Sequence, residues 1–205
     1  MNFHPFTTIH DFVYRSTSQT IDPLLPYLEA RKGKSVVSGS AMFRGEKMIG
    51  TLSRREGLMV QTIHQAGTLP DLKVDLGGNR KREKVILHVI FIKKRVRFNG
   101  DFQRPAFDVR VSLRGNVGNY NGPKNLETTL ERKQLENQIA GEISKEIQQV
   151  INKCIQLSTD PFSFKEAIRI RHKGKWREEI GEKVLKKARY HVTSVIDLKS
   201  IGALK

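Results

Sequence analysis

The residue types best suited to chemistry are few and scattered in this chain. One thiol, Cys154, and six imidazoles, at His4, His10, His64, His88, His172 and His191, are the ligands that zinc would recruit. A zinc site draws four such groups together, commonly in closely spaced pairs. His4 and His10 are six positions apart near one end and the other histidines are isolated, so no ligand set has usable spacing. A single cysteine also rules out an internal disulfide. The residues around Cys154 repeat apolar side chains at helical steps, so it reads as a small core residue rather than a reactive thiol.

Motifs for nucleophilic and phosphate chemistry are missing too. There is no Gly-x-Ser-x-Gly elbow, no glycine-rich phosphate loop and no dinucleotide fingerprint. Ser38-Gly39-Ser40 falls in a strand pattern, where glycine marks a bulge. Glu178, Glu179 and Glu182 lie one helical turn apart among lysines, a spacing that favours solvated ion pairs over an acid–base dyad. The residues therefore predict a protein that is not an enzyme and has no metal, no cofactor and no small-molecule substrate.

What remains is positive charge. The 205 residues carry 37 Lys and Arg against 21 Asp and Glu, a formal net charge of +16. The excess is shared between residues 1–100 (17 against 8) and 101–205 (20 against 13), so it does not form a basic arm. The densest runs are Arg80, Lys81 and Arg82, then Lys93, Arg95 and Arg97, then Arg169, Arg171, Lys173 and Lys175 around Trp176. These are the candidate contacts to an anionic surface. Lys93, Arg95 and Arg97 share one face if their segment is a strand. Three readings stand beside each other: a solvated face kept from aggregating by charge, an anionic membrane or acidic-protein surface, and single-stranded nucleic acid held by cations beside an aromatic ring. Nucleic acid is the least favoured.

The elements that would position these residues can be read from periodicity. Phe6–Tyr14 has helical spacing, and the prolines of Asp22-Pro23-Leu24-Leu25-Pro26 impose an extended or turn conformation. Residues 35–52 form a hairpin around Arg44-Gly45-Glu46-Lys47, and Ser53 with Glu56 makes a capping box for a short helix to about Thr62. The glycines, proline and asparagine of 67–82 mark a boundary. Residues 83–98 make a long strand, Asn99-Gly100 a hairpin turn, and 107–117 a strand alternating cleanly between apolar and polar residues. Residues 115–125 read as a turn-rich connection. An amphipathic helix of ~30 residues follows, with Asn125 or Thr128 as its cap, ended by Asp160-Pro161. A short helix over 162–170 and a last strand over 190–198 complete the chain.

The fold class is therefore α+β: an antiparallel sheet packed against a long amphipathic helix, with a smaller N-terminal α+β domain. The expected division is 1–70 for the hairpin-plus-helix domain and 71–205 for the sheet and long helix. The longest apolar run, Val85–Ile92, is far shorter than the ~20 residues of a membrane-spanning helix. No signal peptide is expected in residues 1–30, which contain Asp11, Asp22 and Glu29.

Several strings, in order, resemble the Ger(x)C family, the C subunits of nutrient germinant receptors of endospore-forming bacteria. They are Asp22-Pro23 to Pro26; Val37-Ser38-Gly39-Ser40-Ala41-Met42-Phe43 with Lys47-Met48-Ile49-Gly50-Thr51-Leu52 and Glu56; Val111-Ser112-Leu113-Arg114-Gly115-Asn116; Leu157-Ser158-Thr159-Asp160-Pro161-Phe162-Ser163-Phe164; Trp176; and Lys199-Ser200-Ile201-Gly202-Ala203-Leu204. The resemblance covers residues 20–56 and 101–205. The family usually has glycine where Ser163 and Lys165 stand here. It implies a non-catalytic receptor subunit that acts in spore germination through contacts with the membrane-embedded A and B subunits, on the outer face of the spore inner membrane. Family members are lipoproteins with a further N-terminal domain. This chain shows no lipid-attachment cysteine, and the mid-helix Cys154 cannot serve as one. The alternative function is a basic nucleic-acid-binding module.

Overall fold

The computed structural model describes residues 8–64, 69–77, 83–172, 174 and 176–201. It opens with helix α1 (Ile9–Ser16), whose start is fixed by a reciprocal cap between Thr8 and Asp11. Strands β1 (Leu24–Arg31), β2 (Lys34–Arg44) and β3 (Lys47–Ser53) form an antiparallel sheet in chain order. Pro26, expected in an extended or turn segment, lies in β1, an edge strand where a missing N–H is tolerated. Ser38 is the extra residue of a bulge between Tyr27↔Gly39 and Leu28↔Val37, and it donates a hydrogen bond to Glu29 at 2.8 Å. Gly45 turns the β2–β3 hairpin at φ +58°.

Helix α2 (Arg54–His64) starts at the expected capping box. The Ser53 N–H donates to Glu56 at 2.7 Å and the Glu56 N–H to Ser53 Oγ at 3.2 Å. Strand β4 (Leu72–Asp75) follows, inside the segment whose glycines suggested only a boundary. Leu72 and Val74 are its two buried residues, too few to register as a strand pattern. Strands β5 (Lys84–Phe98) and β6 (Ala106–Asn121) pair antiparallel over their full length. Residues 115–121, expected as turn, continue β6 instead, because bulges in β5 and β6 absorb the small and polar residues there. The Asn99-Gly100 turn is longer than a two-residue hairpin. Asn99 Oδ1 accepts from the N–H groups of Asp101 and Ala106, closing a loop over 99–105.

Helix α3 (Thr129–Gln156) is the expected rod, 28 residues long. Thr128 is its N-cap residue by position but makes no side-chain cap bond. Helices α4 (Phe164–Arg171) and α5 (Glu178–Lys187) lead to β7 (Arg189–Ile201), which joins β6 in parallel. A crossover through three helices returns the chain in that direction. The sheet order is β4-β5-β6-β7.

Phe107, Val109, Val111 and Leu113 of β6 point to the covered side, and Leu135, Ile139, Ile143, Ile147 and Ile151 of α3 supply the opposing stripe. α3 runs along β7 and covers the free edge of that strand. The N–H of Ser194 donates to Ser144 Oγ at 2.8 Å, and that of Leu198 donates to Glu136 Oε1 at 2.9 Å. An edge that would otherwise offer unpaired backbone groups is thus satisfied by helix side chains. At the other end, Phe98, Phe107, Phe164 and Tyr190 stack with centroids 5.0–5.4 Å apart, and this seats α4 on the sheet.

Candidate interaction site

The titratable groups in the interior converge on one joint. Asp22 precedes β1 and Asp160 follows α3, and each stands immediately before a proline. The Asp22 N–H donates to the Asp160 carbonyl at 3.1 Å, and the Asp160 N–H donates to Asp22 Oδ2 at 2.6 Å. The Lys165 N–H donates to Asp160 Oδ2 at 2.7 Å, while its Nζ lies 3.4 Å from Asp22 Oδ2 and 3.7 Å from Glu178. Burial pushes the Asp160 carboxyl up to about 6, opposed by backbone hydrogen bonds from Lys165 and Phe164. Its Oδ1 has no hydrogen-bond partner. A cavity of about 20 Å³ lined by Asp22, Asp160, Lys165, Glu182, Ser158 and Leu185 has room for about one water.

Beside it, His64 Nε2 donates to the carbonyl of Pro161, so the ring carries its proton on Nε2. Burial, with Arg15 and Lys94 nearby, holds the His64 imidazole down at about 3, so it is neutral. The Cys154 thiol is buried among the same elements, and desolvation pushes it well above its usual range. Sealed and cross-bonded in this way, the joint binds the entry to the first sheet to the exit of the long helix. Among the described residues, no group of three or more His, Cys, Asp or Glu could hold a metal. Sequence reasoning read Asp160-Pro161 as a helix stop. The two Asp-Pro pairs were the signal for the joint, but their pairing spans 138 positions.

The basic candidates separate into two groups. Lys93, Arg95 and Arg97 of β5 all point to the open side of the sheet, opposite Ser112, Arg110 and Asp108 of β6. Lys94 turns the other way, and its Nζ donates to the His64 carbonyl at 2.6 Å. Arg110 belongs to the same open face. Its neighbourhood emerges from register rather than from any local run. Arg169 and Arg171 are elsewhere, on α4 at the covered side, and Arg169 forms a two-point pair with Glu166 at 2.6 and 2.8 Å. Arg80, Lys81, Arg82, Lys173 and Lys175 lie outside the described residues. Trp176 is packed: its Nε1 donates to Gln19 at 3.2 Å, and its ring covers Gly181 so closely that a Cβ there would clash. A ring so engaged is a wall of the fold rather than a platform for bases. Glu182 and Glu178 of α5 pair with Arg44 of β2 and with Lys165, which tie α5 to the rest of the fold.

The profile described as "Spore germination B3/GerAC like, C-terminal" matches residues 38–202, most of the chain. The chain belongs to that family. It is 21% identical over 198 residues to the spore germination protein GerQC of Bacillus cereus, covering 97% of this chain and 55% of that protein. Its fold is similar to the crystal structure of the GerBC protein, with a TM-score of 0.67 and 19% identity, over 90% of this chain and 58% of the other. It thus spans a little more than half the length of the relatives it matches. No described helix is long and apolar enough to cross a membrane.

Proposed function

We propose that this chain serves spore germination as a non-catalytic part of a germinant receptor, acting through contacts with membrane subunits of the A and B type. The observation that carries this is the family match over residues 38–202. The chemistry of the interior agrees with it. Asp22, Asp160 and Lys165 are buried and bonded to one another, and the Cys154 thiol is buried beside them. Rigid, pre-bonded elements of this kind present surfaces to partners. The same proposal places the protein at the outer face of the spore inner membrane.

An epitope-tagged full-length protein, cross-linked in intact spores and recovered from the membrane fraction, tests the reading. Recovery of receptor subunits with it is the expected result. Recovery free of them from the soluble fraction, with normal germination after deletion, would overturn it.

A further inference from the structure

The open face of the second sheet carries a charge arrangement that folding alone does not favour. Arg95 of β5 and Arg110 of β6 are directly opposite in register, and like charges in that position are destabilising. Neither forms an ion pair among the described residues. Lys93, one step along the same face, is opposite the uncharged Ser112. The neighbouring rows are balanced. Arg97 faces Asp108, and Arg114 with Lys199 shares Asp197 at 2.9 and 3.0 Å. The surplus is therefore local: three cations in the middle of the face. Two apolar side chains stand beside them. Phe91 is opposite Arg114, and Val195 is opposite Ser112; both are exposed, Phe91 to 49%.

We propose that this face is a docking surface for an anionic lipid bilayer. The cations would pair with the headgroup phosphates, and Phe91 and Val195 would give the face an apolar patch beside them. The cations and apolar residues are spread over three adjacent strands, β5, β6 and β7, an open face rather than a groove. A polynucleotide strand is instead tracked by a groove and stacked on successive aromatic rings. Here the cluster has one ring, Phe91, at its margin. The reading goes beyond a role in a receptor and does not depend on it.

Flotation of the purified chain with vesicles of phosphatidylcholine alone, or mixed with phosphatidylglycerol, provides the test. Each cation near an anionic leaflet is worth about fivefold in partitioning. Arg95→Gln with Arg110→Gln should therefore weaken binding to the mixed vesicles about 30-fold. Lys32→Gln with Lys34→Gln, an equal charge loss at the exposed β1–β2 turn, should change it by less than about twofold. Thermal unfolding of the arginine pair variant should be unchanged or raised, since a repulsion is removed. Equal weakening by both variant pairs, or no preference for the mixed vesicles, overturns the proposal. So does tighter, Arg95-dependent binding to a single-stranded oligonucleotide or to polyglutamate.

Discussion

Asp160 and His64 meet the same proline and respond to acid in opposite senses. The folded carboxyl titrates at about 6 against an ordinary 3.8, so between those values the folded chain holds a proton that the unfolded chain has released. That contribution favours folding at low pH and is lost as pH rises through 6. His64 titrates at about 3 against an ordinary 6.5, so the unfolded chain takes up a proton that the folded chain refuses. Its contribution is present above 6.5 and is lost as pH falls. Asp160→Asn removes the first and leaves the second. Urea unfolding at pH 7, 6, 5 and 4 should show wild type gaining on the variant as pH drops from 6 towards 4, by on the order of 2 kcal/mol over that interval. A constant difference would mean the carboxyl is not carrying the proton. Three positions further on, Ser163 sits at φ 64°, ψ 33°, with no cap bond from its side chain. An L-residue is strained there, and glycine is what the family resemblance leads one to expect. Ser163→Gly should raise stability by roughly 0.5–1 kcal/mol in the same measurement.

Among the elements, β7 depends on a residue of another element. Glu136 of α3 is buried, accepts from the Leu198 N–H through Oε1 and pairs with Lys133 through Oε2 at 2.7 Å. Glu136→Ala leaves a buried donor unpaired and should cost about 1–3 kcal/mol. Glu136→Gln keeps an acceptor and should restore most of that in chemical denaturation. The helical period puts Glu136 three residues before Ile139, on the buried stripe, but its partner, the Leu198 N–H, lies 62 positions away, so its role was not legible. The alternation of β6 and the apolar stripe of α3 were, because each lies within a single element and repeats many times. β4 was not, since two buried residues amid glycines carry almost no pattern. The parallel direction of β7 was not either, because a strand's local residues do not record which way its neighbour runs.

At the scale of the molecule, the same divide applies to the two sites. The share of Lys93, Arg95 and Arg97 in one face followed from strand parity alone. Arg110 joined them only through pairing between strands, and the joint of Asp22, Asp160 and Lys165 required ends of the chain 138 positions apart to meet. Buried apolar residues from both sheets and from α2, α3, α4 and α5 form one contiguous cluster, and half-buried pairs such as Arg55 with Glu146, at 2.6 Å, fasten α2 to α3.

The final strand also sets an order of events. β7 aligns with β6, yet the three helices between them must be made first. Pairing so distant in sequence is slow to close. During synthesis, the flank of β6 that receives β7 stays uncovered until β7 itself has been made. A chain without β7 would leave that flank, and the side of α3 that runs along β7, with nothing to pair against.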